Sequence, residues 1–212
     1  MKCTLCTQRK AKRSCPAKNS AICPQCCGEK RVLKLNCPGS CDYLKAGRAQ
    51  EARQASELFY RTSDPAEHAK RVRIVEEFEP VLSFVQRVIG CERHANQDLT
   101  DADVAEALDC LLRTLRTEDR GIFYETTSNN LRADILRRQL SEAIQSFRNP
   151  KETDGGRLLL SQAIQCVELL KAMVGVFAEP GAIALSFVEF LARQVPRHAL
   201  NMQAPSSIII PG

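Results

Sequence analysis

The residues best equipped for chemistry stand together at the start of the chain. Between Met1 and Cys41 lie eight of the eleven cysteines: Cys3, Cys6, Cys15, Cys23, Cys26, Cys27, Cys37 and Cys41. Two thiolates on one tight turn bind a single ion, so Cys3-x2-Cys6 and Cys23-x2-Cys26 read as metal knuckles. Cys37-x3-Cys41 adds a pair, and Cys27, adjoining Cys26, points elsewhere and is free to serve another ion. Eight thiols suffice for two four-coordinate sites, and the histidines, His68, His94 and His198, all come later. The expectation is a module holding two zinc ions in two all-cysteine sites of four ligands each, with all eight cysteines as ligands.

The segments between the ligands must position them. Pro24 stiffens the second knuckle, and Gly28 is expected to take the positive φ that such a turn uses. Lys30 to Asn36 reads as one arm of a hairpin, and a helix is expected to open at Cys41-Asp42. The apolar residues of the module are Leu5, Ile22, Val32, Leu33 and Leu35. They bury too little surface to offset the chain entropy of about 40 residues, so the metal must supply the missing stability.

A knuckle, a hairpin-like segment and a ligand pair opening a helix resemble a treble-clef finger. Eight ligands in paired order are also similar to the cross-brace fingers of the B-box and HIT types, over residues 1–45 only. The resemblance implies two zinc ions and a role in protein interaction. Two partitions stand open. One puts Cys23, Cys26, Cys37 and Cys41 on one ion and Cys3, Cys6, Cys15 and Cys27 on the other; the alternative is a cross-braced pairing.

Charge adds a second line of argument. Residues 1–41 carry nine Lys/Arg against Glu29 alone, a formal +8, while residues 42–212 sum to −3. Two zinc ions with eight thiolates bring the loaded module to about +4, so the basic residues partly balance the metal sites. That weakens a nucleic-acid reading through Arg9, Lys10, Lys12, Arg13, Lys30, Arg31 and Lys34. The module also has no aromatic residue before Tyr43 on which a base could stack. A third reading is a zinc–thiolate redox switch, motivated by adjacent Cys26 and Cys27 among cations. No phosphate loop, nucleophile elbow or histidine–carboxylate arrangement is present, and all-thiolate ligation leaves no open metal position, so no enzyme is expected. The leading expectation is a non-enzymatic adaptor or scaffold with a protein partner.

The rest of the chain is helical in pattern. Charged residues make up 26% and apolar ones 44%, the balance of a soluble globular protein. No apolar run follows Met1, and polar residues break the apolar stretch over 158–177, so neither a signal peptide nor a membrane span is expected. Clustered thiols then point to the reducing cytoplasm. The predicted architecture is mainly α: a zinc module over 1–42, a connecting helix over 43–64, an all-α bundle of about six helices over 65–200 and a tail over 201–212.

Within the bundle, Thr62-Ser63-Asp64-Pro65 signals a helix start and Pro80 a kink or a fresh start. Thr100 and Asp103 make a capping box before Val104, Ala107, Leu108, Leu111, Leu112 and Leu115. Gly121 stops that helix, and Ile122-Phe123-Tyr124 is expected to tuck onto the core. A further helix is expected to bury Leu131, Ile135, Leu140, Ile144 and Phe147. The stretch 158–177 is predicted at the bundle centre, followed by an apolar helix from Ile183 to Val195. Cys91, Cys110 and Cys166 are expected to serve as packing residues.

Overall fold

A computed structural model describes residues 1–61, 64–150, 156–179 and 185–195. In the module, β1 (Arg13–Cys15) and β2 (Ser20–Ile22) pair antiparallel, with Ser14 opposite Ala21. Asn19, in the turn between them, has φ 46°, a left-handed conformation that asparagine tolerates. A short helix, α1 (Pro24–Lys30), follows at once. Two expectations fail here. Gly28 lies inside α1 without a positive φ, and residues 30–36 form a tight turn closed by an Arg31–Leu35 bridge, not a hairpin arm. Proline at the first helical position favours the helix over a knuckle turn. The positive φ of 61° falls on Val32.

Helix α2 (Asp42–Tyr60) leaves the module with Cys41 as its N-cap. Its burial is confined to Leu44, Gly47, Ala55, Leu58 and Phe59. Helix α3 (Pro65–Ala95) starts at Asp64, whose carboxylate accepts the Ala66 amide at 2.9 Å. Pro80 lacks an amide proton and crowds the preceding turn, and the helix bends there, with Phe78 at φ −116° and ψ 23°. Helix α4 (Asp101–Asp119) opens with the Thr100–Asp103 capping box, and its expected apolar stripe is buried throughout. Gly121, at φ 81°, turns the chain out of it.

Helix α5 (Leu131–Arg148) buries Ala133, Leu136, Leu140, Ala143 and Ile144, while Leu131 and Ile135 are exposed. The buried stripe of α5 faces α4 and α3, and Leu131 and Ile135 lie off it. Ile122, Phe123 and Tyr124, expected on the core, are exposed as well. Helix α6 (Leu160–Ala178) is long and apolar enough to cross a membrane by length and composition. It packs against α4 and α3 through Ala163, Cys166, Val167, Leu170 and Val174, while Lys171 and Gly175 face out. Helix α7 (Phe187–Gln194) is shorter than expected, because Ser186 caps it by accepting the Glu189 amide. Thr62-Ser63, Pro180-Gly181, residues 183 and 184 of the expected helix, and the tail lie outside the described residues.

Among the described residues six helices, α2–α7, follow the cysteine-rich module, and one core runs through them from Ala55 to Leu191. The module has its own cluster, in which five of seven buried residues are cysteines, with Ile22 and Leu35 completing it. Its interior is therefore made mainly of prospective ligands.

Candidate metal centre

The first knuckle is closed by its own backbone. The Cys3 amide donates to the Arg9 carbonyl at 2.8 Å and the Thr7 amide to the Cys3 carbonyl at 2.8 Å. The hairpin lies alongside: the Thr4 amide donates to the Ala21 carbonyl at 3.2 Å. The chain runs from β2 directly into Cys23, which caps α1 and whose sulfur accepts the Cys26 amide at 3.4 Å. Cys26 follows one helical turn later, on the same side.

These local structures bring four sulfurs together. The Sγ atoms of Cys3, Cys6, Cys23 and Cys26 all lie within 4.8 Å of one another, and those of Cys6 and Cys23 are 4.0 Å apart. Tetrahedral zinc with bonds of about 2.3 Å sets sulfurs about 3.8 Å apart, so this donor set closes on an ion with little movement. Cys3, Cys23 and Cys26 are buried and Cys6 half-buried.

The electrostatics of the cluster favour a cation. Burial and hydrogen bonds among the sulfurs of Cys23, Cys6 and Cys3 push the Cys26 thiol up to about 12. Burial also opposes ionisation of Cys3, but the backbone amides of Cys23, Cys6 and Leu5 outweigh it and bring that thiol down to about 6. The Cys26 amide, against burial, lowers Cys23, with help from Arg9, whose Nη1 donates to the Cys23 sulfur at 3.7 Å. Four thiolates this close repel one another unless a dication sits among them.

The grouping overturns the first of the two partitions, because Cys23 and Cys26 join Cys3 and Cys6 and not Cys37 and Cys41. The reason is the hairpin, which returns the chain to the first knuckle just before Cys23. The remaining four cysteines come from different elements: Cys15 ends β1, Cys27 lies in α1, Cys37 precedes α2 and Cys41 caps it. All four line one small cavity of about 10 Å³, together with Ile22, Leu35 and Leu44. Burial raises the Cys37 thiol, and Cys15, Cys41 and Cys27 add to the effect. Cys27 follows Cys26 by one helical position, about 100° round the axis, so it faces the second group.

The basic residues are partly engaged within the fold. Arg9 is on Cys23, Arg13 lies 4.7 Å over the ring of Tyr43, and Arg31 reaches Glu51 at 3.8 Å. Lys10, Lys12 and Lys34 are exposed and Lys30 is half-buried. Cys110 and Cys166 are buried in the bundle and Cys91 is half-buried. His94 directs Nε2 at the carbonyls of Ala192 (2.8 Å) and Val195 (3.1 Å), which ties α3 to the end of α7.

Sequence reasoning passed over the groups that seat the module on the bundle. Arg193 of α7 donates to Glu51 of α2 at 2.8 Å and to the Glu29 carbonyl of α1 at 3.3 Å. Arg48 donates to the Arg193 carbonyl at 2.6 Å. These partners stand more than a hundred residues apart, and no local pattern announces them.

Comparison of the chain with known protein families, with curated proteins and with solved structures finds no match. The class therefore rests on the molecule itself: a four-cysteine cluster positioned to bind a metal ion, consistent with a zinc-finger-like module, at the head of a helical bundle.

Proposed function

We propose that this is a non-enzymatic zinc-binding protein, an adaptor or scaffold for protein–protein interaction, whose module holds two zinc ions. The carrying observation is the closed set of four sulfurs from Cys3, Cys6, Cys23 and Cys26, which leaves no position for a substrate or a reactive water. The order knuckle, hairpin, helix with two ligands at the helix start is that of a treble-clef finger. Cys15, Cys27, Cys37 and Cys41 would hold the second ion, giving a cross-braced module. Bound zinc would cancel the thiolate repulsion and fix the loops. The engagement of Arg9, Arg13 and Arg31 within the fold favours a protein partner over a phosphate backbone. Thiolate ligands suit a reducing compartment such as the cytoplasm.

Metal analysis and native mass spectrometry of the purified full chain test the premise, with two zinc ions per chain expected. The double variant Cys3→Ser, Cys6→Ser should lose one ion and Cys37→Ser, Cys41→Ser the other. Retention of the full metal content in the second variant would remove the second site, and a visible absorption band with bound iron would remove zinc. The adaptor role is tested by affinity capture with the intact chain and the first variant. Binding of nucleic acid with a steep salt dependence would replace it.

A further inference from the structure

Three arginines converge where the module meets the bundle, and one carboxylate faces them. Arg31 closes α1, with its amide on the Cys27 carbonyl at 3.2 Å. Its guanidinium lies between α1 and α2: a methyl group on Gly28 would stand 3.6 Å from Nη2, and one on Gly47 would overlap Nη1. Arg193 and Arg31 both reach Glu51, at 2.8 Å and 3.8 Å, and Arg48 donates to the Arg193 carbonyl at 2.6 Å. Arg193 is buried, and Arg31 and Arg48 are half-buried. Among the described residues Glu51 is the only ion-pair partner of Arg31 and Arg193. Nε and Nη1 of Arg31 and Nε of Arg193 are buried there without a hydrogen bond.

A surplus of positive charge withdrawn from water needs an anion beside it. The cavity that Arg31 lines supplies one, because Cys15, Cys27, Cys37 and Cys41 line it too. Burial depresses the Arg48 guanidinium, and the anions that oppose this are Cys37 and then Glu51. Neutral thiols would leave the surplus standing. A zinc ion with four thiolates carries a net charge of about −2, which matches three arginines set against one glutamate. The first metal centre has a separate cation, Arg9, on the Cys23 sulfur at 3.7 Å.

We propose that Arg31, Arg48 and Arg193 are the counter-charge of the second metal site, and that Arg193 is a positioning residue through which the bundle helps to retain its ion. This deepens the two-zinc reading and rests on it. The coupling is reciprocal: metal that draws the seam closed is itself held more tightly by a closed seam. Residues just outside a ligand set typically change metal affinity by about 10–100-fold.

The test uses the full-length, zinc-loaded protein with all its cysteines. It is equilibrated at a series of buffered free-zinc concentrations, and freed thiols are trapped by a short pulse of N-ethylmaleimide and mapped by mass spectrometry. In Arg193→Met the zinc midpoint for Cys15, Cys27, Cys37 and Cys41 should rise at least about tenfold, while that for Cys3, Cys6, Cys23 and Cys26 stays in place. At saturating zinc both ions should remain bound. Arg193→Lys, which keeps the charge, should shift the midpoint less. An unmoved midpoint, an equal shift in both groups of cysteines, or equal shifts for lysine and methionine would overturn the proposal. A wild-type chain that binds a single zinc ion would remove the two-zinc reading and the proposal with it. Two bound ions with a midpoint indifferent to Arg193→Met would fault the proposal alone.

Discussion

At the scale of single residues, buried charge separates structure from decoration. Arg137 is 2% exposed, and its guanidinium is shared between Asp134 at 2.8 Å and Glu125 at 2.6 Å. Asp134 also accepts Arg138 at 2.6 Å. The hydrogen bond from Arg137 is the main cause that holds the Asp134 carboxyl below the usual range. Losing the buried partner leaves Arg137 with only the half-exposed Glu125, so Asp134→Asn should cost about 1–3 kcal/mol at neutral pH, measured by urea unfolding. The pH dependence follows in sign. A carboxyl lowered by folding contributes its full stability above its unfolded value near about 4 and loses it as pH falls through the folded value. The gap between wild type and Asp134→Asn should therefore close in acid. The residues that most resemble a site, the eight cysteines, were legible from type and spacing alone. Their grouping was not, since Cys27 beside Cys26 fits either ion until α1 sets its direction.

At the scale of elements, α3 and α7 approach each other through Gly90. A methyl group there would meet Val195 Cγ2 at 2.9 Å and the Leu191 carbonyl oxygen at 3.0 Å, so the glycine serves closeness rather than an unusual backbone angle. Gly90→Ala should push α7 outward and destabilise the bundle by about 1–3 kcal/mol, seen as a lower midpoint in thermal unfolding. An unchanged midpoint would show that α7 shifts freely. The module follows different energetics. Its buried cluster is mostly cysteine, with Ile22 and Leu35 as the aliphatic remainder, so metal must supply what apolar burial lacks. Chelation should raise amide exchange across residues 1–41 while the helical circular dichroism of α3–α7 persists. Protection of β1 and β2 that survives chelation would show the hairpin to be stable without metal.

At the scale of the whole molecule, the seating of the module depends on one cluster. Arg193 ties α7 to α2 through Glu51 and to α1 through the Glu29 carbonyl, and Arg31 closes on the same carboxylate. Gly47 makes room for the Arg31 guanidinium: a methyl group there would overlap Arg31 Nη1. Arg193→Met should unseat the module without unfolding it. We expect a larger radius of gyration by small-angle scattering, with zinc content and helical signal retained. Gly47→Ala should act the same way by displacing the Arg31 guanidinium. A scattering profile identical to wild type in both variants would place the coupling elsewhere.

The sequence by itself determined the class of the molecule: a thiolate module at one end and helices after it. Ligand type, knuckle spacing, capping residues and apolar periodicity are local properties, and local chemistry sets them. The tertiary structure decided three things. The β1–β2 hairpin returned the chain to the first knuckle and so chose Cys23 and Cys26 as partners of Cys3 and Cys6. Packing of α5 on α4 and α3 buried Leu136, Leu140 and Ile144 and left Leu131 and Ile135 to solvent. Arg193 met Glu51 across 142 residues of chain. Each outcome depends on where distant segments meet, and that is fixed by the sum of packing across the fold, not by the pattern of any one stretch.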